Sequence, residues 1–308
     1  MTLRWPSMTD VEREREYSPG SRLQDGNYQP FVAKYRRASE EAWSRLGKRP
    51  GVSIHVVPYG DAASQTIDVA VPVADQPTPL LVFIHGGYWQ ELTSSDSLFP
   101  SQTCLEQGWG FAAIDYTLAP EASLDQIVDE CCLAVSTLAG QAEALGFDAS
   151  RLILTGSSAG AHLAAMVANN QNGIGADLAG LVLVSGIFEL EPLIGTTVNN
   201  RLGLDREAAR RNSPLKFKVP KFPSTLIAYG SDETSEFKAQ SDAFANHLAA
   251  AGTAVSLLEI AGRNHFDVIF ELAQPGTPLG DAVSQLIQSL HRANPDLQRR
   301  PEQRPCQH

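Results

Sequence analysis

Cysteine is scarce in this chain, and the four present form no framework. Cys104 stands alone, Cys131 and Cys132 are adjacent, and Cys306 lies near the C-terminal end. That spacing holds no CxxC pair and no disulfide pattern. Positive charge is also short. The 24 Lys and Arg face 35 Asp and Glu for a net charge of -11, which repels phosphate backbones and anionic lipid headgroups. Nucleic acid and membrane partners are therefore not expected. No apolar run is long enough to span a bilayer, and the opening residues Met1 to Asp10 lack a signal-peptide apolar core. The expectation is a soluble, cytoplasmic protein. HExxH and other ligand spacings are missing, as are GxGxxG and the P-loop, so no metal and no cofactor is expected.

What is present is the alternation of an α/β protein. At 308 residues, 43% hydrophobic and 19% charged, the chain can bury one large α/β core with accessory structure. Residues 1–50 are charged and aromatic without strand alternation, and Phe31, Tyr35 and Trp43 fall at helical intervals. They predict a helical segment laid over the body. Residues 52–58 and 66–73 alternate as an opening hairpin around Tyr59-Gly-Asp-Ala-Ala63. From Pro79 onward come short, non-alternating apolar runs: Leu80–Ile84, Phe111–Ile114, Leu152–Leu154, Leu181–Val184 and Thr225–Tyr229, then Val255–Ile260. Runs of this kind are parallel strands buried on both faces.

Helical stretches separate these runs. The clearest begins at the capping box Ser123-Leu-Asp-Gln126, with Ile127, Val128, Cys131, Val135 and Leu138 on one face. A final helix is expected near 279–292. The alternation implies a mostly parallel sheet with helices on both faces and a ligand site beyond the carboxyl ends of the strands. Residues 191–223 interrupt the rhythm and are too long for a plain loop, which predicts a small helical cap inserted in the body at 51–292. The polar, proline-broken tail at 293–308 is expected to be disordered.

Chemistry-bearing residues stand at the strand ends. Gly156-Ser-Ser158-Ala-Gly160 follows a strand and opens a small, apolar helix, the context of a nucleophile elbow. The residues two before and two after the nucleophile must be nearly side-chain-free for strand and helix to approach, which selects Ser158 over Ser157. His85-Gly-Gly-Tyr-Trp-Gln90 follows the strand ending at Ile84 and is a loop of the oxyanion-hole type. It assigns the N–H groups of Gly87 and Tyr88, with Ala159 as third donor, and leaves His85 as an anchor for the loop. Gly230-Ser-Asp232-Glu233 follows the next-to-last strand and offers the orienting acid: Glu233 by its position three residues after the glycine, with Asp232 a rival one register away. His265, after the last strand, stands where a general base reaches Ser158, and the order Ser, acid, His is one of the known triad orders. His162 is expected to pack near the site.

Together His85-Gly-Gly-Tyr-Trp-Gln90, Gly156-x-Ser158-x-Gly160, Glu233-x-x-Glu236-Phe237 with Gln240-Ser241, and His265-Phe266 resemble the kynurenine formamidase (arylformamidase) branch of the hormone-sensitive-lipase-like α/β-hydrolases. The likeness covers about residues 79–273, with a weaker echo at Glu16-Tyr-Ser-Pro19. Members often carry Asp where Glu233 stands here. The resemblance implies an α/β-hydrolase fold and hydrolysis of N-formyl-L-kynurenine to L-kynurenine and formate through a formyl-enzyme on Ser158. Beside the loop, Trp89 and Tyr88 are placed to stack on the substrate ring, with Trp89 the candidate substrate-binding residue; a place in the pocket wall or core is the other reading for an aromatic there. The expected partner is a small aryl amide or ester, and a homodimer is compatible with this reading. Two other readings stay open: a carboxylesterase or amidase acting on other small acyl compounds, and a non-catalytic hydrolase fold used for binding. Intact Ser158 and His265 speak against the last.

Overall fold

The computed structural model describes residues 3–218 and 222–292. The apolar runs become the middle of one sheet because their side chains have core to enter on both sides. In Thr78–Ile84 every residue is buried: Leu80, Val82 and Ile84 join one hydrophobic cluster, and Leu81 and Phe83 join another. Successive strand residues point to opposite faces, so two cores require helices on both sides. Each large apolar side chain fully buried there contributes about 1.5–3 kcal/mol.

The strands are β1 (Val52–Pro58), β2 (Thr66–Pro72), β3 (Thr78–Ile84), β4 (Gly110–Ile114), β5 (Phe147–Ser157), β6 (Gly180–Val184), β7 (Ser224–Gly230) and β8 (Val255–Ile260). Their order across the sheet is β1-β2-β4-β3-β5-β6-β7-β8. β1 and β2 form the antiparallel hairpin, with Val52 opposite Pro72, and β2 runs antiparallel to β4. From β4 to β8 all pairings are parallel. β5 is longer than its apolar run because the buried Phe147 at its start is separated from Leu152–Leu154 by the partly to fully exposed residues 148–151, which break the hydrophobic signal.

The expected helix forms over Leu124–Gly140. Ser123 accepts from the Gln126 N–H and the Gln126 side chain accepts from the Ser123 N–H, while Ile127, Cys131, Val135 and Leu138 are buried. That reciprocal cap satisfies two N-terminal donors and fixes where the helix starts. The last helix spans Pro278–Arg292.

Residues 191–216 form short helical turns at Glu191–Leu193, Asn199–Leu202, Arg206–Arg211 and Pro214–Lys216. The N-terminal stretch carries a helix at Asp10–Glu16 and a long one at Gln29–Leu46, whose Tyr35, Ala42 and Leu46 are buried. The tail at 293–308, expected to be disordered, lies outside the described residues. Among the described residues no helix is long and apolar enough to cross a membrane.

Candidate active site

Ser158 sits at the turn between β5 and the helix Ala159–Asn169 with φ 56° and ψ -120°. A non-glycine residue at positive φ is held there only by its surroundings. Here the Ser158 N–H donates to the Val184 carbonyl at 2.8 Å, tying the turn to the neighbouring strand. The glycine requirement is steric. A Cβ on Gly156 would lie 2.3 Å from the Gly160 backbone, and one on Gly160 would lie 2.0 Å from the Ile84 carbonyl oxygen. No rotamer change relieves a clash with backbone.

His265 and Glu233 converge on this serine from the ends of β8 and β7. The His265 Nε2 is 3.0 Å from Ser158 Oγ, and its Nδ1 is 2.9 Å from Glu233 Oε2. With Nδ1 protonated toward the carboxylate, Nε2 is left to accept the serine proton. The other Glu233 oxygen accepts from Ser185 Oγ and from the Gly230 N–H, both at 2.6 Å. All three side chains are buried or nearly so, and three hydrogen bonds fix the carboxylate in one orientation. Asp232 is solvent-exposed, with its side chain bonded to Ser231 next door, and makes no contact with His265. Ser185 went unnoticed in the sequence. Its one signal is position, immediately after β6 and thus on the same strand-end rim.

The loop after β3 is stitched by bonds from the Gln90 and Glu91 N–H groups to the Gly87 carbonyl, at 2.9 and 3.1 Å. Gly87 (φ 91°), Tyr88 (φ 50°) and Trp89 (φ 61°) all lie in the left-handed region. A Cβ on Gly87 would meet the Glu91 carbonyl oxygen at 2.3 Å, so this position excludes other residues. Among the described residues none accepts from the backbone N–H of Gly87, Tyr88 or Ala159, which leaves these donors for a ligand. His85 is buried under the loop. Its ring nitrogens face the Gly86 carbonyl (3.0 Å) and Asp115 Oδ1 (3.3 Å), and Tyr116 stacks on it at 4.1 Å.

Trp89 takes the core placement and not the substrate-binding one. It has 0% exposure and belongs to the core beneath the loop, with its ring edge-on to His162 at 5.0 Å. It cannot stack on a substrate. Tyr88, whose ring centroid is 5.9 Å from that of Trp89, lines the cavity instead. His162 packs near the site as expected, with Nε2–H donating to the Asn212 carbonyl at 2.7 Å. Burial pushes its pKa down to about 4.

Ser158 and His265 open into a cavity of about 520 Å³. Much of its wall comes from Ser18 and Pro19, which lie in the motif echo at Glu16–Pro19, and from residues that sequence patterning did not single out: Gly20 from the N-terminal stretch, Tyr28 from the start of the long helix, and Thr197 and Val198 from the 191–216 stretch. The N-terminal wall is pinned by polar ties to distant residues. Thr234 Oγ1 donates to the Glu16 carbonyl (2.6 Å), the Thr197 N–H to Glu14 (2.8 Å), and the Tyr88 hydroxyl to the Tyr17 carbonyl. Burial raises the Tyr88 phenol well above its ordinary pKa, so it stays a donor.

The BD-FAE family model matches residues 67–182. A kynurenine formamidase from Danio rerio is 32% identical over 92% of this chain and 98% of its own length, and one from Salmo salar is 31% identical over 87% and 93%. Among solved structures, a candidate thioesterase from Silicibacter superposes with a TM-score of 0.76 at 24% identity, covering 89% of this chain and 99% of that one. Esterase B from Lactobacillus rhamnosis gives a TM-score of 0.69 at 18% identity over 87% and 99%. The fold is that of the α/β-hydrolase esterases.

Proposed function

The chain belongs to the kynurenine formamidase family, and from that premise we propose that it hydrolyses N-formyl-L-kynurenine to L-kynurenine and formate. In this reading Ser158 is the nucleophile, His265 the general base and acid, and Glu233 the residue that orients His265. The Ser158 proton passes to His265 Nε2 as Oγ attacks the formyl carbon. Negative charge develops on the formyl oxygen and is met by the N–H groups of Gly87, Tyr88 and Ala159. The imidazolium, stabilised by Glu233 across 2.9 Å, then gives its proton to the departing aryl amine. Water, deprotonated by the same imidazole, attacks the formyl-enzyme, and formate leaves as Ser158 recovers its proton. An aryl amide with an electron-withdrawing ortho carbonyl has a good leaving group for an amide, so the machinery of an esterase suffices.

The observation that carries the proposal is the Ser158–His265–Glu233 hydrogen-bond chain, whose Ser158 and His265 line the cavity. The N-terminal segment at 1–50 and the insertion at 191–223 act, in the same proposal, as two parts of one roof over the body at 51–292. A second reading, a carboxylesterase or amidase for other small acyl compounds, draws support from the likeness to esterase folds. A purely binding role has no such support, because it gives the aligned triad nothing to do. Turnover of N-formyl-L-kynurenine measured beside short aryl esters decides between the two enzymatic readings. Higher kcat/KM for the formamide is expected, and ester turnover without formamide turnover would establish the second reading. Ser158→Ala should lower kcat by about 10⁶, while Ser157→Ala keeps most of it.

A further inference from the structure

The cavity is lined by carboxylates and no cation. Its ionisable side chains are Glu91, Asp96, His265 and the tyrosines 28, 35 and 88; among the described residues no Lys or Arg faces it. Asp96 is already neutralised, since the Arg36 Nε lies 3.0 Å from its Oδ1 and Thr93 donates to its other oxygen. Glu91 differs. Among the described residues it forms no ion pair, and its carboxylate is held by the Tyr28 hydroxyl alone, at 3.0 and 3.1 Å. Tyr28 is itself fixed by stacking on Phe266, next to the triad histidine, at 5.6 Å with planes 8° apart.

The position of Glu91 relative to the reacting centre is also fixed. It closes the turn that begins at Gly87, with its N–H on the Gly87 carbonyl at 3.1 Å, and Gly87 is one of the proposed oxyanion donors. A carboxylate is therefore presented one short turn from where a scissile carbonyl sits, exposed to solvent at the cavity, with lone pairs to spare beyond the Tyr28 bond. A carboxylate so placed attracts a cationic group on the substrate and repels an anionic one.

We propose that Glu91 is a specificity-determining residue that receives an ammonium group of the substrate, so that the site takes aryl formamides and aryl esters bearing an ammonium on a short tether. The inference rests on the hydrolase reading above and deepens it. For N-formyl-L-kynurenine it assigns the α-ammonium to Glu91 and gives the α-carboxylate no cationic partner, leaving it toward solvent. The carboxylate is then dispensable, and the decarboxylated analogue, which keeps only the amine, is a substrate at least as good as the amino acid.

The test compares kcat/KM for N-formyl-L-kynurenine, its decarboxylated analogue and its deaminated analogue, together with phenyl acetates bearing an aminomethyl or a carboxymethyl substituent. The wild-type enzyme is expected to prefer each ammonium-bearing compound over its carboxylate-bearing counterpart by about tenfold, mainly through KM. In Glu91→Gln that preference should fall to about unity, and Glu91→Asp, which keeps the charge, should restore part of it. A merely structural role for Glu91 would lower all substrates alike and leave the ratio unmoved. An unchanged ratio in Glu91→Gln, or a wild-type preference for the carboxylate compounds, overturns the inference. The ester pair keeps the outcomes separate: absent formamide turnover with an intact ester preference refutes the formylkynurenine reading and upholds Glu91.

Discussion

At the scale of single residues, the acid is where two neighbours of the same charge have opposite fates. Glu233 is buried and accepts hydrogen bonds from His265, Ser185 and the Gly230 N–H, whereas Asp232 is exposed and its side chain accepts from Ser231. If Glu233 orients the imidazole and stabilises its charged form, Glu233→Gln should lower kcat by about 10⁴, the loss found for the corresponding change in a serine protease. Asp232→Asn should cost less than about threefold, in line with a surface substitution. Steady-state kinetics on an aryl ester reads both variants, and the reverse ranking would move the role to Asp232. Nothing in the string Gly230-Ser-Asp-Glu233 separates the two. Position after the strand narrows the choice, and burial makes it. The same limit explains Trp89: an aromatic pair after two glycines announces a loop, but which ring enters the cavity depends on backbone angles that the letters do not carry.

At the scale of elements, legibility follows how local the cause is. Strands buried on both faces need continuous apolar runs, and helices with capping boxes advertise their first turn, so the sheet and the helix Leu124–Gly140 could be read directly. The N-terminal stretch could be read as a helical segment over the body, but not the ties that seat it there, because they are tertiary. The Glu236 side chain, with no solvent exposure, accepts from the Arg4 N–H at 3.2 Å and from the Tyr17 hydroxyl at 3.3 Å, and pairs with the Arg4 side chain at 3.5 Å. These bonds join residues more than 200 positions apart, and their periodicity in the sequence is nil. The tie is also testable. Glu236→Gln keeps the shape but removes the charge that both donors face, and a buried charged acceptor lost this way costs about 1.5–3 kcal/mol. The loss should appear locally, as faster amide hydrogen exchange in residues 10–22 with protection of β3 retained. Because Ser18 to Gly20 line the cavity, KM should rise while kcat changes little. Uniformly faster exchange across the sheet would instead mean that Glu236 supports the whole fold.

At the scale of the whole molecule, stability against pH depends on a histidine that does no chemistry. His162 lies on the elbow helix, donates Nε2–H to the Asn212 carbonyl and leaves Nδ1 buried without a hydrogen-bond partner. It thus joins the nucleophile's helix to the helical insertion, and it does so as a neutral ring. Burial lowers its pKa from 6.5 to about 4. Between those values the unfolded chain binds a proton that the folded one refuses, so stability is complete above about pH 6.5 and declines as pH falls toward 4, by about 3 kcal/mol in all. Desolvation raises the pKa of the buried Glu189 and of the partly buried Asp68 and Asp267, and these carboxylates act in the opposite sense, gaining stability on protonation. A difference between two proteins that share them isolates the histidine. His162→Gln can still donate an amide N–H to the Asn212 carbonyl but does not titrate. Urea unfolding at about pH 7.5 and about pH 4.5 should give a smaller loss for His162→Gln than for the wild type, by about 2–3 kcal/mol. Equal losses in the two proteins would mean that His162 is not what weakens the fold in acid.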